Sequence, residues 1–95
     1  MYKLGTTKRF DKPLKICQKR GYPIAELKKA IALLVENGNL PSEYKPHILH
    51  GNHEGEWEAH IRPNWLLIWE QNDDELTLLM LTTGTHSDVF GKTRR

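Results

Sequence analysis

The sequence predicts an α+β domain in which two helices pack on a small, mainly antiparallel twisted sheet, in the order β-α-α-β-β-β. Three observations predict it. Two segments within the first 37 residues carry apolar residues at helical spacing. Residues 56–83 carry three strand-like segments separated by the turn signals "PN" and "NDDE". Helices and strands are therefore segregated along the chain, as α+β architectures require. A length of 95 residues fits one domain, taken as 1–95, and leaves no room for two cores.

Taken in order, "MYKLG" reads as a short first strand. Thr6 or Thr7 can cap the helix that runs to about Arg20, because a hydroxyl there accepts a first-turn N–H bond. Phe10, Leu14 and Cys17 share one face of that helix. Pro13 removes a hydrogen bond from a helix interior, at a cost of about 3 kcal/mol, so the helix either starts near Asp11 or is kinked. "RGYP" breaks it. The second helix spans 24–37, with Ile24, Leu27, Ile31 and Leu34 as its buried stripe and "NG" as its left-handed stop. "NLPSEYKPHILHGN" is loop-rich. "EWEAHIR" alternates, with Trp57, Ala59 and Ile61 on one face and Glu58, His60 and Arg62 on the other. "WLLIWEQ" is apolar enough for a central strand covered on both sides. "LTLLMLTT" follows as the last strand, and "GTHSDVF" closes the domain.

No apolar run approaches the roughly 20 residues needed to span a bilayer, and the first ten residues lack the apolar core of a signal peptide. The lone Cys17 cannot form an internal disulfide, so a reducing, cytoplasmic setting is expected, with no membrane partner. The net charge of +2 hides an asymmetry. Residues 1–30 hold nine Lys/Arg and two acids, a charge of +7, whereas residues 31–95 carry −5. Lys8, Lys12, Lys15, Lys19 and Arg20 thus give the first helix a basic face, suited either to a polyanion or to an acidic partner, or simply to solvent. "GKTRR" adds a basic tail that can touch phosphate.

Four of five histidines fall in "HILHGNHEGEWEAHIRPNW". His47, His50 and His53 are spaced by three, but the loop lacks cysteine and there is no His-Glu-x-x-His helix, so no metal site is expected. His60 shares a strand face with Glu58 and Arg62. A row of carboxylate, imidazole and guanidinium is costly to bury, which points to an open functional face. His86 lies just past a strand end, where loops commonly carry function. Imidazole suits RNA cleavage because both of its protonation states are accessible near neutrality. One ring can take the 2′-OH proton while a second, protonated ring gives one to the leaving 5′ oxygen.

The stretches "ENGNLPSEYKPHILHG", "EAHIRPNWLLIWEQNDDELTLLMLTTG" and "THSDVF" together resemble the YafQ branch of the RelE toxins, the endoribonuclease halves of bacterial type II toxin–antitoxin pairs. The similarity runs from about Leu33 to Phe90 and continues weakly into the first helix. It implies a RelE-like fold and cleavage of mRNA in the ribosomal A site without a metal or other cofactor. It also implies that His47, His60, His86, Trp65 and Phe90 stand at family positions. The chain departs from the family pattern at three places. Asn64 stands where aspartate is usual, Trp57 where arginine is common, and His53 at the place of a loop tryptophan.

On this resemblance His86 is the general acid, His60 the general base or phosphate-binding cation, and His47 a group that positions or neutralises the phosphate. The roles of His60 and His47 can be exchanged. Glu58 and Asn64 support them. Arg62, or else the ribosomal RNA environment, is expected to make up for the missing family cation, Phe90 either to stack on a base or to cap the core, and Trp65 either to pack or to support a base. His50 and His53 are expected to be incidental. The implied partners are a cognate antitoxin in a hetero-oligomer, mRNA, and the ribosome with its RNA. A module of the same fold that binds antitoxin or RNA without cutting is the competing reading, favoured by Asn64 and Trp57.

Overall fold

The computed structural model describes residues 1–91, so the basic tail expected at the C-terminus lies, from residue 92 on, outside the described residues. The elements are β1 (Lys3–Thr6), α1 (Lys8–Lys19), α2 (Ile24–Asn37), β2 (His47–Ile48), β3 (Glu56–Arg62), β4 (Trp65–Asn72), β5 (Thr77–Gly84) and α3 (His86–Val89). Two of these, β2 and α3, fall in segments whose composition reads as loop. Short 3₁₀ turns at Ser42–Tyr44 and Gly51–His53 flank β2.

The sheet order is β1-β5-β4-β3-β2, with β1 parallel to β5 and every other pair antiparallel. Phe10 and Cys17 of α1 and Leu27, Ala30 and Leu34 of α2 pack on Ala59, Ile61, Trp65, Leu67, Trp69, Leu78 and Met80 to form the core. Leu66, Ile68 and Leu81 are also buried, although they lie outside that cluster. β4 is therefore covered on both faces, as its apolar run requires.

Local chemistry explains the helix ends. Gly38 caps α2 at φ 74°, and a Cβ there would lie 2.5 Å from the Tyr2 ring, so both backbone and space demand glycine. α1 begins at Lys8 and runs through Pro13. Thr7 occupies the cap position, but its hydroxyl accepts no first-turn N–H. It donates instead to Met80 O at 3.2 Å, tying the start of α1 to β5.

Candidate active site

β2 is only two residues long, yet its register builds the site. His47 lies directly opposite Glu58, and opposed residues on antiparallel strands project to the same face with Cβ atoms about 5 Å apart. His60, two residues beyond Glu58, shares that face. The result is a cluster in which His47 Nε2 lies 2.8 Å from Glu58 Oε1 and His60 Nε2 lies 3.9 Å from the same oxygen. The Glu58 side chain is 8% exposed and that of His47 49%, so a buried carboxylate sits beneath imidazoles that reach solvent. The open face expected for Glu58 is thus corrected: burial of its charge is tolerated because the imidazoles partner it.

Each imidazole is also held from behind. His47 Nδ1 bonds Lys45 O at 3.0 Å, and His60 Nδ1 bonds Pro63 O at 3.3 Å. A carbonyl only accepts, so Nδ1 carries the hydrogen in both rings. For His47 this leaves Nε2 against a carboxylate, which requires a shared proton between Nε2 and Oε1. For His60, Nε2 lies beyond hydrogen-bond range of Glu58.

The third histidine arrives along the sheet. His60 pairs with Leu66, and Leu66 pairs with Gly84, so His60 and Gly84 lie in one row, two strand spacings or about 10 Å apart. His86 follows two residues later at the first turn of α3. Thr85 caps this turn through a capping box: Asp88 N donates to Thr85 Oγ1 at 3.1 Å, and Thr85 N donates to Asp88 Oδ2 at 2.8 Å. Gly84, at φ 148°, lies so close that a Cβ there would stand 2.8 Å from Asp88 Oδ2. Helical spacing sets the exposed His86 and half-buried Phe90 on one side, with ring centroids 5.0 Å apart.

α3 is fastened from outside by α1. Arg20 grips Asp88 with Nη1 at 2.6 Å from Oδ2 and Nη2 at 3.2 Å from Oδ1. This guanidinium, helped by the Thr85 bonds, lowers the Asp88 pKa to about 2. Arg20 was expected to contact RNA, but both of its forks are occupied by Asp88. Lys8, Lys12, Lys15 and Lys19 remain exposed along α1.

Three other expectations change. Arg62 does not extend the row from Glu58 and His60: its Nε and Nη2 donate to the Glu26 carboxylate of α2 at 2.8 and 2.6 Å. Trp65, expected to pack or support a base, is 2% exposed. Its Nε1 donates to Thr83 Oγ1 at 2.9 Å and its ring lies 4.9 Å from that of Tyr22, so it is a core residue with no face open to a base. Asn64, in the turn between β3 and β4, lines a hollow with Tyr22, Arg62 and Trp65 and takes no part in the His47–Glu58–His60 cluster. Trp57 points to the opposite face from Glu58 and stacks on Trp69 at 6.0 Å.

His53, set aside as incidental, is the residue that sequence reasoning missed. The turn at Gly51–His53 sets its ring edge-on to Phe90 at 5.2 Å, with Nδ1 3.1 Å from Glu56 Oε1. The spacing to Glu56 is visible in the sequence, whereas the contact across 37 residues to Phe90 has no local signal. His50 is exposed. Among the described residues no three His, Cys, Asp or Glu side chains converge as a metal-ligand set.

Comparison with known proteins gives the same frame. The family model for the bacterial toxin of type II toxin–antitoxin systems, YafQ, matches residues 2–91. The chain belongs to the YafQ toxin family. The mRNA interferase toxin YafQ of Escherichia coli K12 is 39% identical over 83 residues, which cover 86% of this chain and 88% of that protein. The crystal structure of YafQ from E. coli BL21(DE3) superposes with a TM-score of 0.88 at 34% identity, covering 96% of this chain and all of that one. YafQ in its complex with DinJ superposes with a TM-score of 0.86 at 35% identity, again over 96% of this chain and all of the other. The RelE-like α+β fold of this YafQ-family chain is therefore established, with two helices on a mainly antiparallel sheet.

Proposed function

We propose that this protein is a ribosome-dependent endoribonuclease that cleaves mRNA by acid–base chemistry without a metal, and that a cognate antitoxin restrains it. The observation that carries this reading is the different surroundings of its imidazoles. His60 Nε2 lies 3.9 Å from a buried carboxylate, His47 Nε2 contacts that carboxylate at 2.8 Å, and His86 stands exposed two residues beyond Gly84, which shares the sheet row of His60.

His60 Nε2 takes the proton of a 2′-OH. The 2′ oxygen forms a bond to the adjacent phosphorus as the P–O5′ bond breaks. His86, protonated, donates to the departing 5′ oxygen. The products are a 2′,3′-cyclic phosphate and a 5′-OH, so every proton is accounted for by two rings. In this reading His47, oriented by Glu58, donates a hydrogen bond to the phosphate, and His60 is taken as the base because its Nε2 is not in hydrogen-bond contact with Glu58. Acid–base catalysis of this kind contributes roughly 10²–10⁴-fold, and in-line placement must supply much of the rest. Phe90, steadied by His53 and His86, is the ring on which a base stacks, at about 1–3 kcal/mol. The exposed lysines of α1 suit ribosomal RNA backbone, the source of most sequence-independent affinity.

The relative crystallised with DinJ supports an antitoxin partner for this chain, in a hetero-oligomer. Action on translating ribosomes places the protein in the cytoplasm; among the described residues no helix is long and apolar enough to cross a membrane. The competing reading, a non-cutting binder, is favoured by the sequestration of both Arg20 and Arg62 in ion pairs. Primer extension on a defined mRNA in a translating extract decides between them. Codon-phased 5′ ends made by the wild type and absent with His86→Ala are expected. No new ends from folded wild-type protein would move the weight to the binder.

A further inference from the structure

A phosphorane carries more negative charge than the diester it forms from, so a nuclease of this kind needs fixed positive charge at the scissile phosphate. Neither arginine near the site is available. Arg62 is forked onto Glu26 and Arg20 onto Asp88. We propose that Lys45 is the phosphate-binding cation of this site and contacts the scissile phosphodiester together with His47 and His60.

Three independent features of Lys45 support the assignment. Its carbonyl accepts the His47 Nδ1 hydrogen at 3.0 Å, so its backbone is part of the site's frame. The residue lines the same surface hollow as His60, with Ile61, Arg62, Pro63 and Glu43 completing the wall. Among the described residues Lys45 forms no ion pair, although Glu43 borders the same hollow. β2 pairs with β3 at Glu58 and Trp57, so the hollow lies beyond the paired part of β3, beside His60. An ammonium on a flexible stem suits a phosphate approaching that edge, because it is a point charge that needs no fixed fork.

The backbone makes the position unusual. Lys45 follows the Ser42–Tyr44 turn in the left-handed region, at φ 50°, which non-glycine residues seldom adopt. Lys45→Gly therefore deletes the charge while suiting the backbone and keeping the carbonyl that orients His47. This variant separates the side chain from the fold.

The inference rests on the endoribonuclease reading, and the test keeps the two apart. Single-turnover cleavage on programmed ribosomes would be measured for wild type, Lys45→Gly, Lys45→Arg and Glu43→Gln. In parallel, inorganic phosphate would be titrated into each free protein while the His47 and His60 imidazole resonances are followed. The expected result is a roughly 100-fold slower cleavage step in Lys45→Gly. Lys45→Arg should recover most of the rate, and Glu43→Gln should bind phosphate more tightly than wild type. Cleavage within threefold of wild type in Lys45→Gly would overturn the role of Lys45 and leave the nuclease standing. If the wild type itself does not cut, the nuclease reading fails and the phosphate titration decides. Imidazole shifts lost in Lys45→Gly would uphold the anion site, and identical shifts in both proteins would overturn it.

Discussion

His47 and His60 stand on sheet strands, each ring braced by a backbone carbonyl and both flanking one buried carboxylate. His86 stands on a helix of four residues, fastened by a capping box and by one guanidinium from α1. The side proposed to hold the base is thus anchored in the body of the fold, where losing a partner leaves a buried charge less well paired. The side proposed to hold the acid is docked, and its position depends on a partly exposed ion pair. The two halves of the proposed centre can therefore be disturbed by different means, and the docked half is the one that surface chemistry can release.

Removing either ring should erase this contrast. His60→Ala and His86→Ala are each expected to slow cleavage by roughly 10²–10⁴-fold, measured as single-turnover rates on ribosomes; the thermal midpoint should fall in His60→Ala, which takes a partner from buried Glu58, and change little in His86→Ala. Equal losses would mean that both halves act in the same step. A loss confined to His86→Ala would remove His60 as the base.

Loosening only the docked half should sharpen the contrast. Arg20→Gln keeps the His86 ring but unfastens the helix that carries it, and misplacement of a reacting group is expected to cost about 10- to 100-fold in rate. Hydrogen exchange should quicken at residues 86–89 while β3 and β4 stay protected. Arg20→Lys, lacking the fork, should recover only part of the rate. Unchanged exchange in α3 would show that the clamp does not hold it.

Acid should act in the same direction without a mutation. The folded-state value of about 2 for Asp88 lies below its ordinary 3.8, so the clamp stabilises docking above about pH 4 and is lost as pH falls through about 2. Followed by the Phe90 ring resonances, α3 in the wild type should hold through pH 4 and release towards pH 2. In Arg20→Gln the release should move up towards pH 4. A midpoint common to both proteins would break the assignment of this titration to the Arg20 contact.

The smallest expected effect is at the hinge between the two regions. His53→Ala removes an edge-on ring contact to Phe90, of a type worth about 0.5–1.5 kcal/mol. Substrate affinity should fall by about two- to tenfold, with the cleavage step little changed. A loss in the cleavage step alone would mean that His53 acts on His86 rather than on Phe90.

The sequence by itself determined the helical stripe of α2, the alternation of β3, the apolar run of β4 and the segregation that makes the fold α+β. These are periodic signals, written every two or every 3.6 residues, and local geometry reads them directly. It also marked His47, His60, His86 and Phe90 as a set, through three short motifs. Tertiary structure decided who touches whom. A two-residue strand has no period to detect, so the register that sets His47 on Glu58 was invisible, as was the one-turn helix under His86. The partners of Arg20 and Arg62 lie 68 and 36 residues away, and that of His53 lies at Phe90. A charge in a sequence reports only what a side chain can offer; the tertiary placement of Asp88 beside Arg20 and of Glu26 beside Arg62 decided which guanidiniums were already spent.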